Sequence, residues 1–270
     1  MMQNMVTCLY LTTLSGQTRL ITVTWCKNLM GQGLSVNVDD PSYQCLCRVD
    51  MKSWLFWKKK GSKRFELGTT KVDVFWDLSS ARYGSAPEPL EGYFVAVVSN
   101  EEVALLLGDM CKEAFKKTHA KPPAETVLIS RKEHVFGKNC YTTKAQFCNS
   151  GRIHDIVIEC QTGGPREPKL CVRIDKQLVV QVKHLIWKFR GNQTISVDGL
   201  PIEMFWDVHD WLFNPSLGHA VFMFKTITSG EVQEPSLSKP VSHSFKHKEL
   251  AQSQGNGYGF SLLMYAWKND

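Results

Sequence analysis

A stretch of 23 residues occurs twice in this chain. Leu55 to Asp77 aligns without a gap with Leu185 to Asp207. Leu-Phe-Trp-Lys-Lys-Lys-Gly at the start of the first copy matches Leu-Ile-Trp-Lys-Phe-Arg-Gly in the second. Val-Asp-Val-Phe-Trp-Asp at its end matches Ile-Glu-Met-Phe-Trp-Asp. Seven positions are identical, where ordinary residue frequencies give about one or two. An internal repeat constrains a fold more than any other sequence signal, because each copy must be one structural unit. The spacing predicts two units of about 130 residues.

The pattern within each unit is alternation with period 2, the mark of half-buried strands. Leu20 to Cys26 and Leu34 to Val38 alternate, with Leu29-Met-Gly-Gln-Gly33 between them as a turn. Lys71 to Asp77 puts Val72, Val74 and Trp76 on one face, and Asp73, Phe75 and Asp77 on the other. Gly61 reads as a second turn. Ile21–Cys26 corresponds to Ile156–Cys160, Leu34–Asp39 to Leu170–Asp175, and Tyr93–Val98 to Ala220–Lys225. One segment alone reads as helical, Gly108 to Thr118, with Asp109 as its expected cap. His119-Ala-Lys-Pro-Pro123 follows it and forms the natural seam. The expected class is therefore all-β: two tandem β-sandwich-like (or small barrel) repeats with one short helix between them. The first repeat spans 1–118, a linker 119–125, and the second repeat 126–270 with a long polar loop over 226–258.

Composition excludes several classes. No apolar run approaches the about 20 residues needed to cross a bilayer, and Met1 to Thr13 lacks the basic and apolar regions of a signal peptide. Nine cysteines without a signal peptide point to reduced thiols and a cytosolic or nuclear setting. The net charge of +6 is uneven. Residues 1–150 hold 19 Lys and Arg against 14 Asp and Glu, and residues 151–270 hold 13 against 12. Such mild basicity permits an acidic partner without demanding one.

Candidate chemistry is sparse. The repeated Asp77 and Asp207 could meet as a carboxylate dyad, as in duplicated aspartic proteases. Neither Asp77-Leu-Ser nor Asp207-Val-His resembles the Asp-Thr-Gly turn of such enzymes. The favoured reading is that Trp packs in the core while Asp accepts backbone N–H groups where the strand ends. Lys58, Lys59, Lys60, Lys63 and Arg64 form the densest basic cluster, with Trp54 as an aromatic neighbour. It reads as an anion-binding loop, or as a solvated hairpin tip whose charges protect a sheet edge. Cys45-Leu-Cys47 lacks metal-ligand spacing, and no phosphate loop or nucleophile elbow is present. Neither a metal nor a cofactor is expected.

Longer strings carry a family resemblance. They include Leu20 to Ser35, Phe75-Trp-Asp-Leu-Ser79, Pro87 to Tyr93, Glu133-His-Val-Phe-Gly-Lys138, Trp187 to Thr194, Phe205-Trp-Asp-Val-His209 and Gly259 to Asn269. Together they resemble the plant-specific domain-of-unknown-function family 868 over nearly the whole chain. The resemblance implies a plant protein and carries over no activity, cofactor or catalytic residue. The first expectation for function is a non-catalytic binding or interaction module for a protein, a small ligand or an acidic surface, contacted through the basic loop. The alternative is a hydrolase or isomerase acting on a small plant metabolite in a pocket between the repeats, with Asp77, Asp207 and His209 as candidates. RNA binding ranks third, because the net charge is modest.

Overall fold

The computed structural model describes residues 2–14, 16–42, 44–51, 58–67, 70–121, 126–149, 151–161, 167–214, 218–227 and 259–268. Trp54, the linker residues 122–125 and the expected polar loop beyond residue 227 lie outside them. The chain runs through β1 (Met2–Leu14), β2 (Gln17–Asn28), β3 (Gly31–Asp39), β4 (Cys45–Met51), β5 (Lys60–Leu67), β6 (Thr70–Asp77), β7 (Arg82–Tyr83), β8 (Pro89–Glu91), β9 (Phe94–Ser99) and β10 (Glu102–Gly108). The helix α1 (Cys111–Thr118) follows. Then come β11 (Val127–Gly137), β12 (Cys140–Ala145), β13 (His154–Gln161), β14 (Lys169–Ile174), β15 (Gln177–Val182), β16 (Arg190–Val197), β17 (Leu200–Asp207), a short helix α2 (His209–Phe213), β18 (His219–Thr226) and β19 (Ser261–Lys268).

The expected alternation places its residues as read. Val72, Val74 and Trp76 are buried in one core, and the even-numbered residues of β3 from Leu34 to Val38 join them. One sheet dominates, with strand order β16-β17-β18-β19-β11-β1-β2-β3-β4. Its pairs are antiparallel except β11 with β19, which is parallel. Two four-stranded sheets, β10-β9-β6-β5 and β12-β13-β14-β15, complete the layers. None of the sheets closes, so the barrel alternative does not apply.

Both small sheets cover the same face of the large one. β5, β6, β9 and β10 pack on β1 to β4 through Ile21, Val23, Trp25, Val74 and Val97. β12 to β15 pack on β16 to β19 through Ile156, Ile158, Phe222, Leu262 and Met264. In register, Trp25 pairs with Val6, Val6 with Glu133 and Glu133 with Met264. One continuous face therefore carries both cores, and residues of β1 and β11 lie at the seam between them. Among the described residues no second sheet covers the opposite face of the large sheet, where buried Leu9 and Leu20 form a small cluster with Ile129.

Two local expectations are corrected. Asp109 does not cap α1, whose N-cap is Met110 without a side-chain bond. Asp109 Oδ1 instead accepts the N–H groups of Gly92 and Tyr93, at 2.7 and 3.2 Å. A second helix, α2, stands where none was expected, because five residues are too few to show a 3.6-residue period.

Candidate functional site

The repeated Trp-Asp pairs form the same local structure twice. β5 pairs with β6 so that Gly61 faces Trp76 and Lys60 faces Asp77. β16 pairs with β17 so that Gly191 faces Trp206 and Arg190 faces Asp207. Trp76 Nε1 donates to the Lys58 carbonyl at 3.1 Å, and Trp206 Nε1 to the Lys188 carbonyl at 3.0 Å. Asp77 Oδ1 accepts the Ser79 N–H at 3.1 Å, and Asp207 Oδ1 accepts the His209 N–H at 3.1 Å. A cation completes each, Lys60 at 2.8 Å and Arg190 at 2.7 Å. Burial alone would raise the Asp77 carboxyl, but Lys60 and Ser79 outweigh it and hold it below its ordinary range. Gly61, expected in a turn, sits inside β5 because the Trp76 ring lies against its backbone.

The two carboxylates do not meet. Asp77 shares its face of β6 with Phe75, which packs beside α1 on the outside of its small sheet. Asp207 stands on the face of the large sheet opposite the cores, in register with Val221. At least two sheet layers, about 10 Å apart, separate them. His209 is drawn into local contacts, with Nδ1 2.8 Å from Asp210 Oδ1 and its ring against Phe189 and Phe213.

The basic cluster is divided by the strand it lies on. It is the start of β5, not a hairpin tip, and successive side chains point to opposite faces. Lys60 and Arg64 turn outward, and Arg64 makes a bidentate pair with Asp73 at 2.7 and 3.0 Å. Lys63 turns the other way, places its amine 3.4 Å from the Arg48 carbonyl and lies over the Phe65 ring. Lys58 and Lys59 precede the strand and are exposed. Trp54 lies outside the described residues.

A polar cluster missed in the sequence occupies the seam. Arg131 on β11 donates to both carboxylate oxygens of Glu88, at 2.9 and 2.6 Å, and its Nε donates to Glu133 Oε1 at 2.6 Å. Its Nη1 also lies 3.5 Å from Cys8 Sγ. Burial works against the guanidinium charge, but Glu88 and Glu133 outweigh it and hold Arg131 well above its ordinary range. Burial pushes the Cys8 thiol up to about 11. Glu133 is fully buried, and its Oε2 has no hydrogen-bond partner among the described residues. No sequence signal marks this cluster, since its members come from β1, β11 and the segment before β8.

Five rings gather on the face of the large sheet opposite the cores, across β11, β18 and β19. Phe136 stacks on Trp267 with centroids 5.1 Å apart, and Tyr265 lies 6.2 Å from Trp267. His134 sits 5.3 Å from Tyr265 and 5.1 Å from Trp267. His219 sits 5.4 and 5.0 Å from the same two rings. The Lys132 amine lies 4.8 Å from the Tyr265 centroid. Burial, aided by Lys132 and His219, pushes His134 down to about 4. Burial also lowers His219, against Asp210 and Asp207. Both shifts favour the neutral imidazole, and His134 Nε2 is buried without a hydrogen-bond partner among the described residues. The sequence hint was Gly259 to Asn269, but alternation alone does not say which face stays uncovered.

Among the described residues, no group of three or more His, Cys, Asp or Glu is placed to hold a metal ion. No described helix is long and apolar enough to cross a membrane.

The fold defines an all-β protein built on one broad sheet and two smaller ones. A family model described as plant protein of unknown function (DUF868) matches residues 1–268. The chain belongs to that family. No curated protein and no solved structure matches it.

Proposed function

We propose that this chain is a non-catalytic binding module whose contact surface is the row of rings on β11, β18 and β19. The observation that carries the reading is the buried Nε2 of His134 within that row, which has no hydrogen-bond partner among the described residues. An unmade hydrogen bond at a buried nitrogen costs about 1–3 kcal/mol. A ligand that parts the rings and bonds this atom relieves that cost while its apolar body packs on Trp267 and Tyr265. The partner class is a small molecule with an apolar body and hydrogen-bonding groups at its rim. The candidate acids support this reading over the enzymatic one, since Asp77, Asp207 and His209 are each held by neighbours in local contacts. The matching contacts at an offset of 130 residues support reading the two halves as copies of one unit. In the proposal, one copy keeps a face free for binding.

Native mass spectrometry of the protein purified from plant tissue, compared with its denatured mass, tests the proposal. A stoichiometric small molecule that is lost on denaturation, and absent from Trp267→Ala, supports it. An apo mass for the unmodified chain overturns the small-ligand reading.

A further inference from the structure

Nine large apolar side chains are exposed among the described residues, and they are not scattered. Six of them, Met2, Leu29, Met30, Ile186, Trp187 and Phe213, lie at one end of the nine-stranded sheet. The register shows this. Arg190 pairs with Asp207, His219 and Phe136 both pair with Trp267, and Met2 pairs with Phe136. Farther along the same edge Met5 pairs with Cys26, and Asn28 with Gly31. The turns beyond these residues therefore project from one rim, about 40 Å long for nine strands spaced about 4.8 Å apart.

The most prominent side chain on the rim is also firmly mounted. Trp187 is 84% exposed, beside Ile186 at 43%. Its turn is anchored by fully buried Leu185, whose N–H bonds the Pro168 carbonyl at 3.0 Å. The Trp187 and Lys188 N–H groups both donate to the His184 carbonyl, at 2.9 and 3.1 Å. On the far side the Lys188 and Phe189 carbonyls accept Trp206 Nε1 and the Val208 N–H. Phe213, 53% exposed, sits 6.2 Å from Phe189 between ring centroids.

The rim carries more fixed cations than anions. Arg190 offsets Asp207, while the imidazoles of His184 and His209 contact Glu167 and Asp210. Lys183 and Lys188, which bracket Trp187, make no ion pair among the described residues. Lys63 reaches the Arg48 carbonyl, and Lys58 and Lys59 follow Met51 at the end of β4 by only seven and eight residues, which keeps them near that end. That end belongs to the same rim, since Leu34 near the start of β3 pairs with Met51. The exposed Lys58 and Lys59 thus lie along it.

We infer that this rim docks on an anionic lipid bilayer. Trp187, Ile186, Phe213, Leu29 and Met30 enter the headgroup boundary, and the unpaired lysines hold the acidic headgroups. A tryptophan with an apolar body and a polar N–H suits that boundary, and lysine stems reach outward from it while their amines stay wet. Apolar insertion together with basic attraction is the two-signal arrangement that gives stable surface anchoring.

Co-sedimentation of the full chain with phosphatidylcholine vesicles, with and without phosphatidylserine, tests the inference. The chain binds the phosphatidylserine vesicles. Trp187→Ala weakens that binding about tenfold, the scale of one large apolar side chain leaving the interface. Lys183→Gln with Lys188→Gln weakens it about fivefold per lysine and removes much of the salt dependence. These side chains are exposed, so an unchanged circular dichroism spectrum establishes that the variants are folded. Failure of the full chain to sediment with phosphatidylserine vesicles overturns the inference. So does equal binding by Trp187→Ala. Association of the lipid-free chain with itself, abolished by Trp187→Ala, assigns the rim to a protein contact and also overturns it.

Discussion

A Cβ placed on residue 191 would lie 2.4 Å from the Trp206 ring, and one on residue 61 would lie 2.7 Å from the Trp76 ring. Both positions pair directly with their tryptophan across the hairpin, so the indole can move only by giving up its own hydrogen bond to a strand carbonyl. Gly61→Ala and Gly191→Ala are each expected to lose about 1–3 kcal/mol by overpacking. The loss is expected to be larger at 191, where the approach is closer. Urea unfolding of the two variants measures it, and no loss at either site means that the indole shifts freely. The identity of these glycines in both copies was plain in the sequence, but their purpose was not, because glycine reads first as a turn. His134 makes a residue-scale prediction with a definite sign. Its folded value, near 4, lies below the ordinary 6.5, so the unfolded chain binds its proton first. Its contribution is intact above pH about 6.5 and declines as pH falls toward 4. His134→Leu is expected to flatten that part of the stability–pH curve, and an unchanged slope in denaturant titrations across the window means His134 is not its source.

At the scale of elements, the seam cluster ties three pieces of chain together. Arg131 belongs to β11, Glu88 leads into β8, and Cys8 lies on β1. The guanidinium satisfies fully buried Glu133, which would otherwise lack a cation, and half-buried Glu88. Arg131→Ala is therefore expected to cost about 3–5 kcal/mol, the usual penalty for breaking a buried ion pair from one side. Replacing Arg131, Glu88 and Glu133 together with apolar residues of similar volume is expected to recover much of that loss. Chemical denaturation of the single and triple variants separates the outcomes, and a triple variant no more stable than Arg131→Ala would mean that the ion cluster itself holds β8 in place. This cluster was not legible in the sequence. Arg131-Lys-Glu133 looks like a solvated strand, and its burial depends on β1 and β19 flanking β11, which no local pattern reports. The strands themselves were legible, because alternation with β-branched residues needs only nearest neighbours along the chain. The basic cluster is divided for a related reason: once β5 is pleated, Lys60 and Arg64 face Asp77 and Asp73, Lys63 turns to the other face, and Lys58 and Lys59 stay exposed before the strand.

For the whole molecule, the question is whether the halves melt apart. The repeat suggested a boundary at 119–125, and each side of that boundary has its own core. Yet the large sheet passes through the boundary without a break. β1 bonds β11 over most of its length, and β11 in turn bonds β19 in parallel. Separating the halves would strip β1 of one partner along its length, uncover Glu88 and Arg131, and leave a long unprotected edge. Hydrogen-bonded edges of this kind couple neighbouring units far more tightly than a small polar contact between domains. The molecule is therefore expected to unfold in one cooperative transition, with equal calorimetric and van't Hoff enthalpies. The segment 1–121 produced alone is expected to associate through the exposed edge of β1. Scanning calorimetry of the full chain and sedimentation velocity of the segment provide the measurements. Two resolved transitions together with a monomeric segment would show that the cores are independent and that β1 and β11 contribute little to each other's stability.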